Sequence, residues 1–379
     1  MVHVGIIGAS GYSGAELMRL LCTRDDIAID HAIAGTSVGK RVDEVYPLFS
    51  GMLELVFEPF GADRLEGLDV VFIALPSGEA MSIVPQLIHC VGRIIDLGGD
   101  FRLPTAEMYE KFYLHKHTAP ALLGEAVYGL PELNKEQIAT AHLVANPGCY
   151  PTSAILPLLP VLRAGIVSPK GIVINSLSGV SGAGRSASVE MSFVEVNENI
   201  RAYKIGKHQH TPEIQTVLEQ ATGQAIGLSF VPHLVPLTRG IYSTIHADLN
   251  SEYAEQEIAD AYREFYADAP FVRLKTTIPQ IKDVAFTNFC DIGFTIERRT
   301  KQLIINSTID NLVKGAAGQA IQNMNIMLGL SEETGFLPRG RSLPDRLPGR
   351  TEDTASAEAG ETKERSGQTG MRKEMQHVS

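Results

Sequence analysis

Cysteine is scarce in this chain. Cys22, Cys90, Cys149 and Cys290 are the only four in 379 residues, and no two form a CxxC pair. That spacing supports neither a disulfide framework nor a zinc site, and it predicts a reducing compartment. An excess of positive charge is missing as well. With 33 Lys+Arg against 44 Asp+Glu, the formal net charge of -11 argues against nucleic acid or an anionic membrane surface as the main partner. The opening MVHVGIIGAS lacks the basic n-region and long apolar run of a signal peptide, and no uninterrupted apolar stretch reaches membrane-spanning length. A soluble cytoplasmic protein with no membrane or metal partner is the expectation.

What is present is ordinary globular usage, 44% hydrophobic and 20% charged residues, in a length that suits about two domains. From Gly340 to Ser379 the composition shifts to Gly, Ser, Thr, Pro, Ala and charges, with no aromatic residue. Such a segment cannot bury enough apolar surface to offset its ordering entropy, so a disordered tail over 340–379 is predicted. Its acidic and basic residues balance, which leaves the whole negative excess on the residues before it.

The N-terminal part alternates strand-like and helix-like runs, as in a parallel sheet covered by helices. Strands are predicted at Val2 to Ile7, Ile27 to Ala34, Asp69 to Leu75, Arg93 to Leu97 and His142 to Ala145, with an amphipathic helix at Gly14 to Leu21. Beyond that the character changes. Gly171 to Leu177, Ile226 to Val235, Gly240 to Leu249 and Leu303 to Asp310 read as longer strands of an α+β unit. The expected organisation is α/β: a dinucleotide-binding domain at 1–148, a catalytic and association domain at 149–312, and a helix at 313–337 packed back on the first.

The first strand runs into Gly8-Ala9-Ser10-Gly11-Tyr12-Ser13-Gly14 and then a helix. Glycines there permit a tight turn and let backbone N–H groups at the helix start approach a pyrophosphate. The stretch after the second strand, Ala34-Gly35-Thr36-Ser37-Val38-Gly39-Lys40-Arg41, has hydroxyls and two cations but no carboxylate. That chemistry suits a 2′-phosphate, so NADP(H) is expected over NAD.

Asn146-Pro147-Gly148-Cys149-Tyr150-Pro151-Thr152 precedes an apolar run, and Pro151 reads as a first-turn proline. Cys149 is thus expected just before a helix N-terminus, where the dipole lowers a thiol pKa and favours a nucleophile. The other three cysteines read as small core hydrophobes. Lys207-His208-Gln209-His210-Thr211-Pro212-Glu213-Ile214 offers the base: Thr211 reads as an N-cap and Pro212 as the first helical residue. His210, immediately before that helix, is favoured as the acid/base, with His208 as the alternative or as a substrate contact. Arg102, Arg185, Lys204, Lys207 and Arg239 are the candidates for an anion; Arg102 and Arg239 stand out because each sits at an element end among apolar neighbours and glycine.

Taken together, GIIGASGYSGAEL, ALPSGEA, IDLGGDFRL, YGLPELN, NPGCYPT, SGVSGAGR, HQHTPEI, PHLVPLTRGIY and DNLVKGAAGQAIQNMN occur in this order from about Val2 to Leu337. The chain resembles the N-acetyl-γ-glutamyl-phosphate reductase family of arginine biosynthesis, related to aspartate-semialdehyde dehydrogenase and more distantly to glyceraldehyde-3-phosphate dehydrogenase. The resemblance implies a Rossmann-type NADP-binding domain joined to a semialdehyde-dehydrogenase-like catalytic domain. It implies NADPH-dependent reduction of N-acetyl-L-glutamyl 5-phosphate through a thioacyl intermediate on Cys149, with the HQHTPEI histidines as the acid/base region. Gly8, Ser10, Gly11, Tyr12, Ser13, Gly14, Thr36, Ser37, Lys40, Arg41, Pro76, Ser77, Ser178, Gly182, Ala183 and Asn311 would meet the cofactor. Arg102, Asn146, His208 and Arg239 would meet the substrate. The partners implied are an acyl-phosphate, inorganic phosphate and a second copy of the chain, as a homodimer or homotetramer. Gly98-Gly99 departs from the Ser-Ala-like pair expected of the family. The alternatives are another semialdehyde dehydrogenase, acting on aspartyl phosphate or a carrier-linked aminoadipyl phosphate, and a non-catalytic dinucleotide-binding sensor.

Overall fold

The computed structural model describes residues 1–336. Seven strands form the first sheet: β1 (Val2–Ile7), β2 (Ile27–Ile33), β3 (Phe57–Glu58), β4 (Val70–Ile73), β5 (Ile94–Asp96), β6 (Ala126–Tyr128) and β7 (Leu143–Ala145). Their order is β3-β2-β1-β4-β5-β7-β6, and every pairing is parallel. Parallel strands covered on both faces read as continuous apolar runs, and Val70-Val71-Phe72-Ile73 is buried throughout. On one face Leu17, Met18 and Leu21 of the Tyr12–Leu21 helix pack with Ile321 and Met324 of the Gly318–Met327 helix. On the other lie Met81, Val84, Leu87 and Tyr109 from the helices Ala80–Leu87 and Ala106–Tyr113. Because all seven strands run the same way, the loops after β1, β2, β4, β5 and β7 leave one edge of the sheet. The chain reverses direction across the sheet between β1 and β4, which is where ligands bind in such folds.

The second sheet contains β8 (Ile172–Ser178), β9 (Arg201–Ala202), β10 (Leu228–Leu234), β11 (Ile241–Asp248), β12 (Val272–Leu274), β13 (Cys290–Glu297) and β14 (Gln302–Ile309), in the order β12-β13-β14-β11-β8-β10-β9. It is mixed: β8 runs parallel to β10 and antiparallel to β11. Side chains alternate along β8, with Ile172, Ile174, Ser176 and Ser178 buried and Val173 more than one-third exposed on the opposite face. The inner face packs against Ile155, Leu158, Leu159, Ile214, Leu218 and Tyr262 from the helices Cys149–Arg163, His210–Thr222 and Glu255–Phe265. The first of these helices carries Pro157 and Pro160 in its interior. Pro160 has no N–H for the carbonyl of Leu156, and the hydroxyl of Tyr266 takes that carbonyl instead at 2.5 Å.

Two sequence expectations change. Strand β13 escapes notice because Asp291 and Gly293 interrupt its apolar pattern; the Asp291 carboxylate is buried and held by the guanidinium of Arg273, with Nη2 donating to Oδ2 at 2.9 Å. The helix expected at 313–337 is shorter and irregular. It opens as a π-turn over Val313–Ala317, continues as the Gly318–Met327 helix and stops before Gly329, whose φ of +69° is a left-handed stop signal. Position 337 and the tail 340–379 lie outside the described residues. Among those described, no helix is long and apolar enough to cross a membrane.

Candidate active site

The strand β7 ends at Ala145, and Asn146-Pro147-Gly148 turns the chain into the Cys149–Arg163 helix. Cys149 is the first helical residue, one place further in than the proline alone suggested, with Gly148 as N-cap. Glycine at 148 is a matter of space. A Cβ there would lie 2.5 Å from His210 Nε2 and 2.9 Å from Arg102 Nη1, closer than real contacts allow. Two nitrogens therefore converge on the backbone beside the cysteine. From the other side the π-turn brings Gly315 so near that its Cβ would sit 2.8 Å from that of Cys149.

The second helix begins at His210, two residues before the expected start at Pro212. His210 faces Gly148 and lies 3.5 Å from Arg102 Nη1. His208 does not share that position. Its Nδ1 accepts the backbone N–H of His210 at 3.1 Å, and its ring is enclosed by Tyr150, Tyr203 and Phe230. The geometry thus separates the pair, one ring at the cysteine turn and one bracing the helix start.

Glu213, given no role in the sequence reading, emerges as the hub. It lies three residues after His210 on the same helical face. Fully buried, its Oε1 accepts from the Gly148 N–H and from the Tyr128 hydroxyl, each at 2.9 Å. Its Oε2 stands 3.5 Å from Arg102 Nη1. The same arginine donates from Nε to the Asn146 carbonyl at 2.8 Å and from Nη2 to the Leu97 carbonyl at 2.6 Å. Arg102 is thereby anchored by two of its nitrogens, while Nη1 has only long contacts and remains available to an anion.

The electrostatics correct one expectation. The helix start was expected to lower the Cys149 pKa; instead the dense surroundings push the thiol up to about 11, with Arg102 and backbone N–H donation offsetting burial only in part. Part of the residue's surface stays open. At neutral pH the resting sulfur is therefore a thiol, and a base must remove its proton. For His210, burial first, and then the charges of His208, Arg102 and Lys204, hold the ring well below the ordinary histidine value. It is neutral at pH 7 and able to accept a proton. Burial opposes the charge of Arg102, but Glu213 and nearby hydroxyls outweigh it.

Other expected ligand contacts already have partners within the protein. Arg239 is committed to Asp310 at 3.0 Å and Glu16 at 3.2 Å and lies over the ring of Phe286, so its charge is met internally. Asn146 is fully buried, donating to the Ala316 carbonyl and accepting from Asn323 Nδ2 at 3.0 Å. It holds the π-turn against the cysteine. Asn311, expected at the cofactor, uses its amide to accept the Gly240 N–H at 2.7 Å and to donate to Ser181 Oγ at 3.0 Å. It fixes the loop containing Ser178, Gly182 and Ala183.

The glycine turn fits a dinucleotide phosphate. Gly8 has φ +85°, and a Cβ on Gly14 would overlap the Gly8 carbonyl and Ala9. The helix starting at Tyr12 then points its first N–H groups, which have no partner within the helix, out of this turn. Two residues not assigned to the cofactor from sequence brace it. The Tyr46 hydroxyl donates to the Ser10 carbonyl at 2.8 Å, and Arg185, stacked over the Tyr46 ring, donates to the same oxygen at 2.9 Å. Thr36 and Lys40 are exposed after β2, while Arg41 pairs with Asp43 at 2.9 Å. Pro76 and Ser77 follow β4 in a loop tied down where the Gly78 N–H donates to Asp100 at 2.6 Å.

Two family models match the chain: the semialdehyde dehydrogenase NAD binding domain over residues 3–141, and the semialdehyde dehydrogenase dimerisation domain over 149–311. Among solved structures, aspartate semialdehyde dehydrogenase II of Vibrio cholerae, in complex with ASA, superposes with a TM-score of 0.66 at 16% identity, covering 87% of this chain and 98% of that one. The aspartate semialdehyde dehydrogenase of Candida albicans with NADP gives the same TM-score at 16% identity, over 86% and 99% of the two chains. At that identity the likeness speaks for the fold alone. Sequence relatives are much nearer. N-acetyl-gamma-glutamyl-phosphate reductase of Symbiobacterium thermophilum is 48% identical over 348 residues, 90% of this chain and 99% of the relative. The protein of the same name from Pelotomaculum thermopropionicum is 48% identical over 342 residues, covering 89% and 99%. Since that similarity runs through the cysteine turn and the histidine helix alike, the chain belongs to the N-acetyl-γ-glutamyl-phosphate reductase family of semialdehyde dehydrogenases.

Proposed function

We propose that the chain reduces N-acetyl-L-glutamyl 5-phosphate to N-acetyl-L-glutamate 5-semialdehyde and inorganic phosphate, with NADPH, as a step of arginine biosynthesis. The observation that carries this reading is the convergence of His210 Nε2 and Arg102 Nη1 on Gly148, directly beside Cys149. His210 takes the proton of the Cys149 thiol as the sulfur attacks the acyl carbonyl. The carbon–oxygen bond to phosphate breaks, phosphate leaves with the electron pair, and a thioester on Cys149 remains. NADPH held by the Gly8–Gly14 turn and the loop after β2 would supply the hydride that reduces the thioester carbon. His210 protonates the resulting hemithioacetal oxygen, takes that proton back as the carbon–sulfur bond breaks and the aldehyde is released, and returns it to the Cys149 sulfur. Glu213 holds His210's helix and the Gly148 N–H in one frame, and Arg102 offers Nη1 to the phosphoryl oxygens.

The reaction runs in reverse for assay: phosphate, NADP+ and purified semialdehydes are mixed and NADPH formation is followed. N-acetylglutamate semialdehyde should exceed aspartate semialdehyde in kcat/KM by at least about 30-fold, the order expected when a site is built for a longer, acylated chain. Comparable or greater turnover of aspartate semialdehyde would reject the reading in favour of the other acyl-phosphate chemistry.

Cofactor preference is assigned to the loop after β2. Lys40→Ala should weaken NADPH about tenfold in titrations of its fluorescence and leave NADH nearly unchanged, since one exposed ammonium meets the 2′-phosphate. Arg41→Ala should do less, because Asp43 already pairs with that guanidinium. Equal losses for the two cofactors would sink the assignment. The open face of the second sheet and the exposed side chains of Phe193, Val194 and Ile200 support a homo-oligomer, a dimer or tetramer, formed through this half of the chain. Four free cysteines among the described residues fit the cytoplasm.

A further inference from the structure

We infer that Tyr113 is a substrate-binding residue whose hydroxyl shares the phosphate with Arg102, in a position made possible by Gly99. This rests on the function proposed above and adds a residue to it. Tyr113 ends the Ala106–Tyr113 helix, and its ring stacks on Tyr109 at 4.5 Å between centroids and 9° between planes. The ring is therefore held in one orientation. Its hydroxyl oxygen is buried and has no hydrogen-bond partner. A buried, unpaired hydroxyl costs roughly 1–3 kcal/mol in general, so its position calls for an explanation.

The explanation lies in what surrounds it. A Cβ added at Gly99 would overlap the Tyr113 hydroxyl and two of its ring carbons. The departure from the Ser-Ala-like pair at Gly98-Gly99 therefore has a physical meaning here: the missing methyl is the space the phenol fills. Three residues on is Arg102, whose Nη1 has only long contacts, and the charges of Arg102 and Glu213 both act on the Tyr113 phenol. The hydroxyl is thus a fixed donor packed on Gly99, within the field of a cation one of whose nitrogens has only long contacts. Guanidinium and phenol together satisfy more phosphoryl oxygens than either alone. One internal competitor exists. Asp96 Oδ2 is also buried and unpartnered, although burial and the charge of Asp100 raise that carboxyl to about 7. If Tyr113 served Asp96 instead, its loss would lower stability and leave phosphate untouched.

The test varies phosphate, semialdehyde and NADP+ separately in the reverse reaction with Tyr113→Phe, which keeps the stacked ring. The KM for phosphate should rise about tenfold, as for loss of a hydrogen bond to a charged group, while the other two stay within about twofold. Gly99→Ala displaces the phenol from the opposite side and should raise the same constant. A second measurement needs no turnover: phosphate should slow carbamidomethylation of Cys149 in the parent protein and protect the Tyr113→Phe protein much less. An unchanged phosphate KM, a rise confined to the semialdehyde, or an equal loss for all three reactants overturns the inference. A parent protein inert with these reactants would instead overturn the proposed function, and the protection measurement would still decide the role of Tyr113.

Discussion

Cys149→Ser should lower steady-state turnover by at least about 10³-fold while leaving the fold intact, because the proposed reaction has no alternative nucleophile of comparable reactivity. The substitution changes one atom at the first residue of a helix whose N-cap bonding runs through Gly148 and Glu213, not through the side chain at 149. Stability should therefore barely move. The chemical loss is large for two reasons. A serine hydroxyl is far less acidic than a thiol, and the thiol in this site is already pushed up to about 11, so the proton transfer proposed for His210 becomes much harder. An oxyester is also less readily reduced by hydride than a thioester. The measurement is kcat with the acetylated semialdehyde, phosphate and NADP+, beside a thermal melt. Activity above about one-tenth of the parent with an unchanged melt would remove the covalent pathway.

Gly148→Ala should lower kcat/KM about 10²-fold, the magnitude expected when reacting groups are displaced by about 1 Å. The backbone at 148, with φ -66° and ψ 152°, is one that alanine adopts readily. No strain arises there. The cost falls on His210 and Arg102, because the new methyl occupies the place where Nε2 and Nη1 meet. To admit that methyl, His210 must move off the cysteine turn and Arg102 must shift on its two carbonyl anchors. A pH–rate profile adds a distinct signature: since burial and nearby cations hold the His210 ring below its ordinary pKa, displacement toward solvent should raise the acidic limb of the profile. Parent-like kcat/KM in this variant would show that the convergence at Gly148 is not where the chemistry occurs.

Much of this site was legible in the chain itself, for reasons that differ from residue to residue. Cys149 is exposed by its neighbours: prolines and glycine bracket it, and such residues encode turns through φ alone. The parallel strands were readable because burial on both faces leaves unbroken apolar runs, as in Val70–Ile73. Strand β13 was not, since Asp291 is tolerated in a buried strand chiefly through Arg273, a partner on the neighbouring strand β12. His208 and His210 are equivalent in composition and two residues apart. They part company only because the helix begins at His210 and turns its ring onto Gly148. Glu213 had a signal, three residues after a histidine on one helix face, but nothing in the chain says that this face meets the cysteine turn.

The sequence by itself therefore determined the chemistry available: a thiol at a helix start, a neighbouring imidazole, an arginine after a parallel strand and a glycine turn suited to phosphates. These are local properties, set by side-chain type and backbone preference within a few residues. Only the tertiary structure decided which groups share a site. It brought residues 102, 148, 210 and 213 together at one point, committed Arg239 to Glu16 and Asp310, and raised rather than lowered the thiol pKa. Burial and pairing depend on residues distant in the chain, and a dipole argument built on neighbours alone omits the desolvation that outweighs it.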